Sequence, residues 1–136
     1  MEKKDRKKIL AAAVLSAVIV GIVVVTLFVG SVSVSMDDDK LNVSAPMMKR
    51  SVDYDDIVKV ELRSDIIIGS RANGLGNVKI NSGNFKNVEF GHYDLAGYND
   101  VRVYVVVTPV SGKVLVFNLD TVDKTVNAYN ELILRI

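Results

Sequence analysis

The chain has no cysteine. Disulfides, thiol catalysis, lipid attachment through cysteine and cysteine-ligated zinc are therefore excluded. It has one histidine, His92, and no second residue at a spacing that would complete a metal set around it. It also lacks a surplus of positive charge. Lys and Arg number 17 against 16 Asp and Glu, and from Asp37 onward the acidic residues slightly outnumber the basic ones. Nucleic acid and anionic membrane surfaces call for a basic patch, so neither is expected as a partner. No phosphate loop of the Walker type, internal repeat or low-complexity tract is present.

What the chain does have is one long apolar run. Ile9 to Gly30 carries only Ser16 and Thr26 as polar side chains. As a helix it would extend roughly 33 Å at about 1.5 Å per residue, enough for a hydrocarbon core of about 30 Å. Residues 9–30 are therefore expected to form a transmembrane helix. Lys3, Lys4, Arg6, Lys7 and Lys8 precede it, which predicts a cytoplasmic N-terminus and an extracytoplasmic remainder in the cell membrane. A cleaved signal peptide is the rival reading, with Ser33-Val34-Ser35 as small residues near its end. The run exceeds the roughly 7–15 residues of a signal core, which favours the anchor. Gly21 stands alone within the run, so there is no GxxxG support for helix pairing.

The chain then divides into a basic stub (1–8), the anchor (9–30), a juxtamembrane linker (31–40) and one domain (41–136). After residue 40 the pattern turns to alternation. Leu41, Val43 and Ala45 predict a first strand. Val58, Val60 and Leu62 alternate with Lys59, Glu61 and Arg63, which predicts a half-buried strand. Ile66 to Ile68 reads as a short strand. Arg71 to Gly76 reads as a tight turn around Asn73-Gly74, and Asn81 to Asn84 as another. Val88 and Phe90 predict a further strand. Val101 to Val107 and Lys113 to Leu119 predict an antiparallel hairpin about Pro109 to Gly112, supported by their β-branched content. The period then changes. Thr121 or Asp120 caps a helix over 121–136, with Val122, Val126, Tyr129, Ile133 and Ile136 as its apolar stripe. The expected fold is mainly β: about seven antiparallel strands curled into a partly closed barrel or sandwich, with the helix over one open end.

This order of strands followed by one helix resembles the pleckstrin-homology (PH) superfold, and residues 57–133 resemble the bacterial PH-like domains of small membrane proteins. The residues that carry the likeness are Tyr54-Asp55-Asp56-Ile57, Val60-Glu61-Leu62, Gly69 to Gly76, Gly83-Asn84-Phe85, Val116-Phe117-Asn118, Thr125 and Tyr129. The resemblance implies a non-enzymatic domain beside a transmembrane segment. Phosphoinositide binding does not carry over, because only Lys49, Arg50 and Arg71 stand in the corresponding region.

Candidate sites are few. Arg71, Asn73, Gly74 and Gly76 form the one glycine-rich stretch; it reads first as a plain hairpin turn, and it is where a recognition loop is expected if the domain has one. A dinucleotide fingerprint would need a third glycine where Lys79 stands. Asn42-Val43-Ser44 matches a glycosylation sequon. His92 has only Asp94 as a nearby carboxylate, too little for a nucleophile-activating arrangement. Asp53, Asp55 and Asp56 read as a solvated turn rather than an acid–base pair, and Asp37-Asp38-Asp39 lacks the alternate spacing of a calcium loop. Phe85, Phe90, Tyr93 and Tyr98 are expected as packing residues. No catalytic, cofactor or metal residue is expected. The predicted function is a membrane-anchored binding or assembly module that meets a protein partner, or a second copy, through an exposed sheet edge. A lipid or envelope-ligand binder and an accessory subunit of a larger membrane complex are the alternatives; a small-molecule ligand is not expected.

Overall fold

In the computed structural model, which describes residues 2–136, helix α1 (Lys3–Phe28) leads into nine strands and a second helix, α2 (Val122–Arg135). The chain is mainly β, in two sheets. α1 is long and apolar enough to cross a membrane, and none of its residues is buried. The basic stub, read from the sequence as separate from the helix, is helical from Lys3 onward, because its Lys and Arg are good helix formers continuous with the anchor.

Three strands, β1 (Ser33–Met36), β2 (Lys40–Ala45) and β3 (Met48–Asp53), form a small antiparallel sheet in that order. The stretch 31–40 is thus not a plain linker. Val34 and Met36 alternate with Ser33 and Ser35, and this period of two turns the apolar pair inward as β1. A single 3-10 turn over Tyr54–Asp56 leads to the second sheet. Its strands are β4 (Ile57–Arg63), β5 (Ser70–Gly76), β6 (Ile80–Asn87), β7 (Gly91–Tyr98), β8 (Tyr104–Pro109) and β9 (Leu115–Phe117), in the order β4-β8-β9-β7-β6-β5. Neighbours are antiparallel except β7 and β9, which run parallel with Leu95 opposite Val116. The expectation of a wholly antiparallel, partly closed barrel is corrected accordingly: there are two sheets, and neither closes on itself.

The expected hairpin of β8 and β9 is present, and so is the strand at 57–63. There, however, a bulge between Ile57 and Lys59 reverses the side-chain parity. Ile57, Val60 and Leu62 pack inward, whereas Val58 is 66% exposed. Ile66 to Ile68 is an irregular segment rather than a strand. The two expected turns at 71–76 and 81–84 lie instead within β5 and β6, where Gly74 pairs with Gly83. Both have positive φ, +135° and +128°. A Cβ on either would strike the backbone of the opposite strand, so these glycines serve close strand approach, not chain reversal.

One face of the large sheet presents Ile80, Ala96, Tyr98, Val105, Val107, Leu115 and Phe117. The small sheet covers part of this face with Leu41, Val43 and Val52, and α2 covers the part over β4 and β8. The N-cap of α2 is Thr121, whose side chain accepts the Lys124 N–H at 3.1 Å. The buried line of the helix is Thr125, Ala128 and Leu132, not the expected stripe, and Val122 is 48% and Ile136 50% exposed. Thr125 sets this rotation. Its hydroxyl donates to the Thr121 carbonyl at 2.9 Å and accepts the Leu119 N–H at 2.9 Å, which pins that face inward. The opposite face of the large sheet carries Phe85, Tyr93, Leu95, Tyr104, Val106 and Val116, covered by Ile66, Ile68, Phe90 and Val114.

Candidate functional site

The expected recognition residues share one strand. Arg71, Asn73, Gly74 and Gly76 all lie on β5, the outer strand of the large sheet. They form an edge and not a loop. The Arg71 guanidinium lies against the Gly76 backbone beside Asn81 Oδ1.

The other expected residues do not converge. Asn42 sits on the central strand β2, where its Nδ2 donates to Asp37 Oδ2 at 2.8 Å and its Oδ1 accepts from Ser51 Oγ at 2.6 Å. His92 is exposed on β7, with Nδ1 3.2 Å from Asn84 Oδ1. Asp94 is engaged elsewhere: Arg50 donates to it at 2.7 Å, and Lys113 lies at 3.3 Å. This cluster ties β3 of one sheet to β7 of the other. Asp55 and Asp56 are exposed in the 3-10 turn. Among the described residues, no three His, Cys, Asp or Glu side chains group as a metal site. Phe85, Phe90 and Tyr93 pack together, with ring centroids 6.3 and 5.4 Å from Tyr93. The Arg63 guanidinium sits 5.9 Å from the Phe90 ring centroid and bonds both Asp65 and Glu89. Those bonds hold both carboxyls below their usual range and raise Arg63.

Two features were not singled out from the sequence. The first is a groove between β1 and α2. Asp37 N–H bonds the Lys40 carbonyl at the end of the β1–β2 hairpin. Antiparallel pairs alternate between bonded and non-bonded, so Ser35 and Ser33 bond across to β2. The backbone groups of Val34 and Met36 therefore point to the free edge. Beside that edge lies a groove of about 230 Å³ lined by Val34, Met36, Leu119, Lys124, Asn127, Ala128 and Glu131. It is smaller than the roughly 300–1,000 Å³ of small-molecule sites. An extended strand with an apolar side chain or two fits it better.

The second is the junction with the anchor. Asn77, in the turn between β5 and β6, donates from Nδ2 to the carbonyls of Thr26 at 3.2 Å and Val29 at 2.9 Å. Val78 N–H bonds the Leu27 carbonyl at 3.1 Å. The last carbonyls of a helix lack partners within it, and here the β domain supplies them. Tyr98 Oη accepts the Val32 N–H at 3.0 Å. Met47 and Val78, on the two turns flanking this exit, are 68% and 58% exposed. Asn99 holds the same turn through the carbonyl of Asn77 at 2.7 Å and accepts from Asn81 at 2.8 Å. A polar cavity of about 240 Å³ opens beside it, lined by Ser64, Ile66, Ile68, Asn81, Asn99, Arg102 and Tyr104. Burial raises the Tyr104 phenol and the Arg102 charge partly offsets this, so the hydroxyl keeps its proton at neutral pH.

No protein-family model matches this chain, and neither does any curated protein or any solved structure.

Proposed function

We propose that the protein is a single-pass, membrane-anchored, non-catalytic binding module that takes an extended segment of a partner protein along β1. The observation that carries this is the free edge of β1 beside the apolar groove under α2. Backbone groups of Val34 and Met36 offer ladder bonds, while Leu119 and Ala128 offer a place for side chains; together these are the two components of strand addition. The basic residues in the first turns of α1 favour a cytoplasmic N-terminus and a β domain on the opposite side of the cell membrane. The exposed Met47 and Val78 beside the helix exit favour a domain seated on the bilayer. The PH-like reading draws on the order of strands followed by one helix lying over the sheet. The parallel β7–β9 pair and the separate three-stranded sheet depart from it.

The β5 edge supports a second reading, because Arg71 is its only charged residue and charged side chains are the usual guard of an open edge. Photo-crosslinking in intact cells separates the two. A crosslinker at Asn127 is expected to give one adduct of defined mass, lost when Val34→Pro removes an outward N–H without touching the β1–β2 ladder. An adduct at twice the chain mass identifies the partner as a second copy. An adduct from Ala72 alone moves the interface to β5, and none from either position ends the proposal. Protease protection with tags at both ends tests orientation: a C-terminal tag digested from outside, with the N-terminal tag protected, is the expected result.

A further inference from the structure

We infer that the polar cavity beside the anchor junction binds the phosphate of an anionic lipid headgroup. The sequence disperses its cations, but the fold brings one of them into the lining and a second beside it. Arg102 lines the cavity. Arg71 lies beside Asn81, which also lines it. Lys79 stands in the capping turn with its ammonium 5.8 Å from the Tyr98 ring centroid. None of the three makes a salt bridge among the described residues, whereas Arg50, Arg63 and Arg135 all do. Asp100 is the only acidic residue in the connection between β7 and β8. The far end of the domain has the opposite character, with Asp37, Asp38, Asp39, Asp55 and Asp56 on its turns.

Tyr104 gives the second, independent indication. It is 8% exposed, it lines the cavity, and its hydroxyl bonds to no protein group. No fully buried side-chain oxygen or nitrogen lacks a partner, so this hydroxyl reaches the cavity. With Ser64 and Arg102 it lines one space, so that two hydroxyl-bearing residues and one guanidinium border it, a donor set suited to phosphate oxygens. The cavity also adjoins the helix exit: Asn99 on its wall bonds the turn whose Asn77 caps α1. With α1 across a bilayer, that exit faces the headgroup layer, which adds about 5–7 Å on each side of the hydrocarbon core. The lipid assignment rests on α1 being a membrane anchor; the phosphate site itself does not.

The test uses the full chain in nanodiscs of phosphatidylcholine with or without phosphatidylglycerol. Native mass spectrometry reads retained lipid, and NMR reads the Arg102 side-chain Nε–H. Retained phosphatidylglycerol with a shifted Arg102 signal is expected. Arg102→Gln should weaken retention at least tenfold, Tyr104→Phe several-fold, and Arg102→Lys should restore part of it. Inorganic phosphate titrated into phosphatidylcholine discs is the second arm. A shift of Arg102 there, without lipid retention, keeps the phosphate site but assigns it to a soluble anion. Retention that is unchanged in both Arg102→Gln and Tyr104→Phe overturns the inference, as does an Arg102 signal that moves in neither arm.

Discussion

The two faces of the six-stranded sheet are apolar to a similar degree but are covered in different ways. One lies under regular structure, the small sheet and α2, with Leu41, Val43 and Leu132 fully buried against it. The other lies under the irregular segment 64–69, where Ile66 and Ile68 are only partly buried. Regular elements satisfy their own backbone groups and bring many side chains at once. An irregular cover must find partners for its backbone one by one, and here Tyr93 supplies one by donating to the Ile68 carbonyl at 2.6 Å. The second face is therefore expected to open before the first.

The largest expected effect tests the first cover. Leu132→Ala removes a fully buried side chain and should cost about 2–5 kcal/mol of unfolding free energy in denaturant titrations. Ile66→Ala should cost clearly less; equal losses would erase the contrast between the faces. Tyr93→Phe sharpens it, costing about 1 kcal/mol by leaving the Ile68 carbonyl unpaired. Hydrogen exchange at 66–69 should accelerate while that of β2 and α2 does not change.

Alkali should act on the second face as well. Burial raises both Tyr93 and Tyr104 above the ordinary value of 10.0. A raised phenol stabilises the fold below pH 10, and this contribution is lost as pH climbs toward the folded-state value. Urea midpoints should therefore fall between pH 9 and pH 11, and less steeply in Tyr93→Phe. The smallest effect is at acid. Arg63 depresses Asp65 and Glu89 below their ordinary 3.8 and 4.5, so their contribution exists above that range and disappears as pH drops through the lowered values. Solvent screening keeps it small. Melting temperatures of wild type and Arg63→Gln should differ slightly at pH 7, and the difference should shrink as the pH falls below the ordinary carboxylate range.

The contrast between the faces also marks where the sequence was readable. β2, β4, the β8–β9 hairpin and the Thr121 cap follow from alternation, β-branched content and a capping residue. The second face did not follow. Ile66 to Ile68 has the composition of a strand, and only its tertiary use as a lid decides otherwise. Gly74 and Gly83 carry turn chemistry in their neighbours, Asn73 and Asn84, but face each other across a strand pair, a relation no local window contains. At Val58 a single bulge was enough to invert the faces. The candidate surfaces were legible only in part. The four residues expected to recognise a partner do share one edge, whereas the β1 groove joins residues 34–36 to residues 119–131, and the cavity joins residues spread over 64–104.

The Asn77 turn has one more consequence. The β domain holds the Thr26, Leu27 and Val29 carbonyls at the end of α1, so the helix end and the domain are tied together by three hydrogen bonds. Transmembrane helices tilt by about 20° on average, and more where the bilayer is thin for their length. With α1 across a bilayer as proposed, such a tilt would pass to the domain through those bonds, lowering one flank toward the surface and lifting the other. Bilayer thickness would then set how openly the proposed β1 edge is displayed to its surroundings.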